Sequence, residues 1–93
     1  MRKIEETTRF RRDYKREKKG QHTKHLDTWL GQIIDLLAAD KPLPARYQDH
    51  PLSGEWKDFR DCHIRPDLIL IYRKPDDDTV QLVRLGSHSE LGL

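Results

Sequence analysis

The clearest pattern along this chain is a run of apolar side chains that recur at three- and four-residue steps. Its members are Leu26, Trp29, Leu30, Ile33, Ile34 and Leu37. This spacing predicts an amphipathic helix with one buried face, and we expect Trp29 to lie in the core. Thr23 is suited to cap the start of this helix. The segment 40–44 ends it, because its two prolines cannot donate backbone hydrogen bonds.

An earlier helix is predicted from Arg9 to about Lys19, with Thr8 as its N-cap and Gly20 at its end. One face of this helix carries Phe10, Asp13, Tyr14 and Glu17. The other positions are mostly cationic, so the helix should pack through its two aromatic rings and direct its charges outward.

Three later segments have the composition of strands, at about Trp56–Ile64, Leu68–Lys74 and Thr79–Leu85, and Lys3–Thr7 adds a weaker strand before the helices. The connections between the last three segments are short, which favours antiparallel pairing. The pattern therefore predicts one α+β domain over residues 1–93, in the order β-α-α-β-β-β. Both helices should pack on one face of a small, mainly antiparallel sheet.

Side chains of the strand that ends at Ile64 alternate between the two faces of that sheet. Cys62 and Ile64 share the face that we expect to meet the helices, whereas Asp61 and His63 share the other. His63 should therefore point away from the main core. Cys62, with an apolar neighbour on its face, is predicted to be a packing residue rather than a nucleophile.

Composition narrows the class of protein further. The chain has 93 residues, of which 34% are hydrophobic and 37% charged, and it can support one small core. Cys62 is the only cysteine, which excludes an internal disulfide and a cysteine-based zinc site. No apolar run approaches the roughly 18 residues of a membrane helix, and the first residues lack the apolar stretch of a signal peptide. We expect a soluble, unprocessed, cytoplasmic protein.

The charge is unevenly distributed. Residues 1–25 carry a net charge of +6 and residues 26–93 a net charge of −4. The basic end is suited to a polyanion such as RNA, although an acidic protein partner or a merely solvated helix face explains it equally well. The candidate RNA-binding cations are Arg9, Arg11, Arg12, Lys15, Arg16, Lys18 and Lys19.

Titratable side chains crowd the second half of the chain. They are His50, Asp61, His63, Asp67 and His88. Histidine changes charge near neutral pH, so this density points to proton transfer. Each residue taken alone also has a structural explanation, such as a turn aspartate at position 67. A zinc site is disfavoured because no closely spaced pair of ligands anchors it, and we predict neither a metal nor a cofactor.

Two stretches of sequence resemble a known family. The residues from Tyr47 to Tyr72, YQDHPLSGEWKDFRDCHIRPDLILIY, and the later Arg84–His88 are similar to the YafQ branch of the RelE/ParE toxin superfamily. The resemblance covers nearly the whole chain and weakens before about Pro42. One departure concerns the end of the chain, where the family often has an aromatic residue beyond the last histidine and this sequence has Ser89–Leu93.

The resemblance implies a ribosome-dependent endoribonuclease that cuts messenger RNA in the A site of the 70S ribosome. It also implies a DinJ-like antitoxin as partner, in a heterotetramer. Carried over by position, the catalytic group is His50, His63, Asp67 and His88, with Asp61 and Trp56 in support. Trp56 would stack on a base.

Metal-free RNA cleavage requires a base for the 2′-hydroxyl, a cation for the phosphate and an acid for the departing 5′-oxygen. We assign His88 as the acid, His50 or His63 as the base, and Asp67 as the residue that orients an imidazole, and we place Arg84 near the phosphate. The alternative is a ParE-like inhibitor that binds DNA gyrase without catalysis. Such a binding protein has no need of several proton carriers on one sheet, so the histidines favour the enzyme.

Overall fold

The computed structural model describes residues 1–93 and contains five strands and three helices. Their bounds are β1 Lys3–Glu6, α1 Thr8–Lys18, α2 Leu26–Ala38, β2 His50–Pro51, β3 Arg60–Arg65, β4 Leu68–Asp76, β5 Thr79–Gly86 and α3 His88–Leu91. The predicted α+β class is confirmed, with every predicted element present in the predicted order. The two-residue strand β2 and the one-turn helix α3 are additions that no periodic pattern marks, because each is too short to have one.

The five strands form one sheet in the order β1-β5-β4-β3-β2. β1 runs parallel to β5, and the other three pairings are antiparallel. β4 therefore lies at the centre, which explains why its residues from Leu68 to Tyr72 are buried on both faces.

The main core lies between the sheet and helices α1 and α2. It contains Phe10, Leu26, Leu30, Ile33, Leu37, Tyr47, Cys62, Ile64, Leu68, Leu70, Tyr72, Val80, Leu82 and Leu85. Cys62 and Ile64 face the helices as predicted, and Cys62 is fully buried. The prediction for Trp29 was wrong: this side chain packs against the edge of the core and stays half-exposed.

Three predicted element ends also differ from the observed ones. Thr7 rather than Thr8 caps α1, by accepting the Phe10 amide at 3.0 Å. Thr23 does not cap α2, because His25 holds the N-cap position and the Thr23 hydroxyl instead lies 2.6 Å from the carbonyl oxygens of Lys18 and Gly20. β3 begins at Arg60 rather than near Trp56, since Gly54–Trp56 form a 3₁₀ turn with Gly54 at a φ of +63°.

Helix α1 continues along the edge of β5 beyond the end of β1. Asp13 accepts the Leu85 amide at 3.0 Å, and Arg16 donates to the Leu85 carbonyl at 2.7 Å. These two side chains thus take the place of a strand partner for Leu85. They fix the carboxyl end of β5, from which α3 and His88 follow.

None of the helices is both long enough and apolar enough to cross a membrane.

Candidate active site

Three imidazoles converge on the sheet face opposite α2. The His50 and His63 ring centroids lie 6.4 Å apart, and the His63 and His88 centroids 5.3 Å apart in an edge-to-face arrangement. His63 thus stands between the other two rings. Strand register produces this arrangement, because β2 pairs with β3 and β3 pairs with β4, while His88 follows the end of β5.

His88 and Asp67 form a direct pair. The His88 ring nitrogen Nδ1 is 2.8 Å from Asp67 Oδ1, and the His88 backbone amide donates to the same oxygen at 3.1 Å. These hydrogen bonds, the backbone one first, lower the pKa of Asp67 below its ordinary value. An ionised carboxylate only accepts, so His88 Nδ1 carries a proton and Nε2 is left for a substrate.

His50 is held in a similar way by a backbone carbonyl. Its Nδ1 is 2.8 Å from the Gln48 carbonyl oxygen, which likewise only accepts. Asp61 Oδ1 lies 3.0 Å from the same nitrogen, but that oxygen is buried and makes no hydrogen bond. One N–H cannot satisfy both acceptors, and the shorter approach to Gln48 is the bonded one.

Asp61 is consequently a buried carboxylate that lacks a hydrogen-bond partner. Its burial raises the pKa of Asp61, although the charge on nearby imidazoles opposes this. Desolvation disfavours the ionised form. The ionised carboxylate is therefore stabilised most when an adjacent imidazole is positively charged. The charge of Asp61 thus depends on the charge of the histidines.

The loop that carries His50 is fixed by its neighbour Asp49. Arg60 donates to both carboxylate oxygens of Asp49 at 3.3 and 3.2 Å, and the Tyr72 hydroxyl donates to Oδ1 at 2.5 Å. Sequence reasoning did not identify Asp49 as part of the site. Its partners lie 11 and 23 residues away, and no local signal could have shown that pairing.

The segment that carries His88 is similarly constrained. Ser87 and Glu90 form a capping box at the start of α3, and Leu91 is buried in a second, smaller core. That core contains Ile69, Ile71 and Leu91, with Leu52, Trp56, Phe59 and Val83 packed against it. These contacts anchor the segment that carries His88. Leu91 packs inside the protein, so it does not take the place of the aromatic residue that the family often has beyond the last histidine.

Two of the predicted site residues are engaged elsewhere. The Arg84 guanidinium donates to Asp13 through Nε at 2.7 Å and through Nη2 at 3.3 Å. Burial would raise the pKa of Asp13, but the hydrogen bonds from Arg84 and the Leu85 amide prevail and lower it. Arg84 thus makes its contacts with α1 and not with the imidazoles. Trp56 lies half-buried against Phe59, with ring centroids 5.3 Å apart.

The cations of α1 and of its C-cap, Lys19, fall into two groups. Three of them have carboxylate partners: Arg11 with Glu6, Lys18 with Asp27, and Arg16 with Asp13, Glu17 and Glu90. Arg16 also supports the end of β5, so its main contacts are within the fold. The cations that form no ion pair are Arg9, Arg12, Lys15 and Lys19.

The comparisons with known proteins agree with this fold. Residues 2–92 match the family model described as a bacterial toxin of a type II toxin-antitoxin system, YafQ. The match defines the class of protein, which is the toxin component of such a system. Within that class, this chain belongs to the YafQ toxin family.

One relative and two solved structures illustrate the similarity. The "mRNA interferase toxin YafQ" of Escherichia coli K12 is 41% identical over 90 residues, covering 95% of this chain and 97% of the relative. A metal-bound toxin from Helicobacter pylori is 42% identical, with a TM-score of 0.81 and coverage of 98% and 99%. YafQ in an E. coli DinJ-YafQ complex is 36% identical, with a TM-score of 0.79 and coverage of 98% of each chain.

Proposed function

We propose that this toxin is an endoribonuclease that cleaves messenger RNA on the ribosome by metal-independent general acid/base catalysis. The observation that supports this proposal most directly is the row of three imidazoles. The two outer rings, His50 and His88, each direct Nδ1 to an oxygen of the protein. Nε2 of each outer ring is therefore left free to act on a substrate. We expect one phosphodiester bound along this row to have a proton acceptor and a proton donor on two sides.

In this mechanism His88 is the general acid. The adjacent Asp67 carboxylate stabilises the positive charge of a protonated His88 and holds the ring through Nδ1. The proton on Nε2 would pass to the 5′-oxygen as the P–O bond to that oxygen breaks. His88 then becomes neutral, with Nδ1 still bonded to Asp67.

The general base is His50 or His63, which takes the 2′-hydroxyl proton while the 2′-oxygen attacks phosphorus. The product of this step is a 2′,3′-cyclic phosphate. Asp61 supports whichever imidazole becomes protonated, because it is a buried anion close to both rings. Arg84 would not touch the phosphate. It would support the site indirectly, because its hydrogen bond to Asp13 ties β5 to α1.

The residues of the site are poorly suited to hold a metal ion. No group of three or more His, Cys, Asp and Glu side chains has the arrangement that a metal requires. The H. pylori relative was solved with a bound metal, so metal dependence must be tested directly for this chain.

A DinJ-like antitoxin is the expected protein partner, because the E. coli relative forms a complex with DinJ. The unpaired cations of α1 would suit an acidic, partly disordered antitoxin segment or ribosomal RNA. We infer a heterotetramer in the cytoplasm, where the ribosome and messenger RNA are found. The gyrase-binding alternative is not favoured, since the E. coli relative is named an mRNA interferase and the imidazoles converge.

The decisive experiment compares the wild type with His88→Ala on messenger RNA in programmed ribosomes. Loss of a general acid should slow cleavage by about 10²- to 10⁴-fold, while antitoxin affinity and melting temperature remain unchanged. Ser89→Ala, an exposed neighbour in α3, serves as the matched control. A wild-type cleavage rate in His88→Ala would refute the mechanism, as would cleavage of RNA that is methylated at the 2′-oxygen of the scissile nucleotide.

A further inference from the structure

A cavity of about 610 Å³ adjoins the candidate active site between α2 and the end of β3. Its volume falls in the range of about 300–1,000 Å³ that is usual for small-ligand sites. Two of its lining residues are also part of the candidate active site: His63 is the middle imidazole, and the Gln48 carbonyl accepts from His50. The cavity and the row of imidazoles therefore share His63.

The cavity is electrostatically suited to an anion. Arg46 and Arg65 both line it, and no carboxylate does. Neither arginine forms an ion pair within the protein, and both are exposed. Guanidinium groups in this state bind phosphate oxygens through two parallel N–H groups. In the α1 helix, by contrast, Arg11, Arg16 and Lys18 are paired with carboxylates.

Aromatic rings hold both guanidinium groups in place. Arg65 lies over Trp29 with its central carbon 4.8 Å from the ring centroid, and Arg46 lies over Tyr47 at 4.7 Å. Arg46 also donates to the Tyr47 hydroxyl at 3.1 Å. Stacking on a ring restricts a long side chain before the ligand arrives, so less conformational entropy is lost on binding.

This arrangement also explains why Trp29 departs from the pattern of α2. The residue has the spacing of a core position, yet it is only partly buried and it lines the cavity. His25 stacks on it with centroids 5.4 Å apart, and His22 meets it edge-on at 5.6 Å. The ring is therefore a fixed platform beneath Arg65 rather than a filler of the core.

We propose that this cavity binds one nucleotide of the RNA next to the scissile phosphate. Arg46 and Arg65 would contact its phosphate oxygens, and its base would stack on the open face of the Arg65 guanidinium, as unpaired RNA bases do on arginine planes. The inference rests on the proposed function, because it takes RNA to be the substrate. It adds to that function a second phosphate site built on two stacked arginines.

The test uses the full chain and a short single-stranded RNA that is methylated at its 2′-oxygens, so that it binds without being cleaved. The protein has two tryptophans and therefore two indole N–H signals in a nitrogen–proton spectrum, which Trp56→Phe assigns. We expect the Trp29 signal to shift on titration. Arg46→Gln and Arg65→Gln should each weaken binding about tenfold, which corresponds to about 1.4 kcal/mol.

Arg73→Gln is the matched control, since Arg73 lies over Phe59 at 5.6 Å but outside the cavity. Its affinity for the RNA should stay within about twofold of the wild type, a difference of less than about 0.5 kcal/mol. The proposal is overturned if the RNA binds while Trp29 does not respond, or if the cavity variants bind RNA normally and lose only antitoxin affinity.

The two proposals fail separately in these experiments. Binding of methylated RNA does not require the acid/base step, so inactive imidazoles would leave the titration unchanged. Conversely, cavity variants that bind RNA as the wild type does would overturn the nucleotide site even if His88→Ala abolished cleavage. Melting curves of both arginine variants show whether loss of the stacking contacts has altered the fold.

Discussion

Asp67 accepts two hydrogen bonds from His88, one from the ring and one from the backbone amide, through a single carboxylate oxygen. The two residues are 21 positions apart in the sequence. Asp67 lies in the turn between β3 and β4, and His88 begins α3 after β5. Pairing of β4 with β5 brings the two together, since Ile69 lies opposite Gly86.

This contact predicts the behaviour of Asp67→Asn. The amide keeps the shape of the side chain but removes the charge that stabilises a protonated His88. We expect cleavage on programmed ribosomes to fall by roughly 10- to 100-fold, because the general acid loses the carboxylate that holds it. Asp58→Asn, an exposed and unpaired aspartate, should leave the rate as it is.

Asp61→Asn should separate stability from activity. Burial raises the pKa of Asp61, so the ionised group opposes folding, and the opposition grows as pH rises above the ordinary aspartate pKa. Removing a buried, unbonded charge should stabilise the fold by about 1–3 kcal/mol at pH 7 and by less at pH 4. Cleavage should fall about tenfold or more because the imidazoles lose their anion. Urea unfolding at both pH values measures the first effect; a destabilised variant would contradict it.

Asp13→Ala should be strongly destabilising. It removes the carboxylate that binds Arg84 and the Leu85 amide, and loss of one partner of a buried pair costs about 3–5 kcal/mol. The pKa of Asp13 is lowered in the fold, so its contribution is present above the ordinary aspartate pKa and disappears as pH falls. The variant should therefore show a smaller loss of stability between neutral and acidic pH than the wild type. Asp35→Ala, exposed on α2, is the control.

Gly31→Ala should be a stabilising change. Gly31 lies inside α2, and a Cβ added there meets nothing within 4 Å. Alanine in a helix interior is favoured over glycine by about 0.8–1.0 kcal/mol. Gly86→Ala offers the contrast, since its Cβ would lie 2.7 Å from Arg16 Nη2, which is bonded to the Leu85 carbonyl. Melting temperatures should rise for the first variant and fall for the second.

Cleavage should be insensitive to chelators that act on the protein alone. The described side chains include no cluster arranged to hold a metal, and proton transfer by imidazoles requires none. The wild type should retain its rate after treatment with EDTA and removal of the chelator, before mixing with ribosomes. Loss of activity that zinc or copper restores would show that a metal takes part.

A large part of the fold could be predicted from local patterns. Helix α2 shows a three- and four-residue apolar period, and β4 is apolar on both faces because it is the central strand. Element ends were less predictable. Thr7 and Thr8 are adjacent residues of the same type, and which of them caps α1 depends on where β1 ends. The short β2 exists only because β3 supplies its hydrogen-bond partners.

The candidate site was predictable as a set of residue types but not as a set of contacts. Histidines and aspartates mark proton-transfer chemistry wherever they occur together. Other residues could not be recognised from their type, because their roles depend on distant or neighbouring aromatic rings. Asp49 accepts from Tyr72, Arg46 stacks on Tyr47, and Arg65 stacks on Trp29. Arg84 shows the reverse case, because its position beside the last histidine suggested the phosphate while its actual partner is Asp13 on α1.

The sequence by itself determined the order of elements, the apolar faces and the presence of several imidazoles, since these follow from local spacing and side-chain chemistry. Only the tertiary structure decided which charges meet. His88 pairs with Asp67, Asp61 is buried without a partner, and two arginines remain unpaired beside His63. Electrostatic contacts fall off within a few ångströms and depend on desolvation. They are therefore set by strand register and packing between segments far apart in the chain.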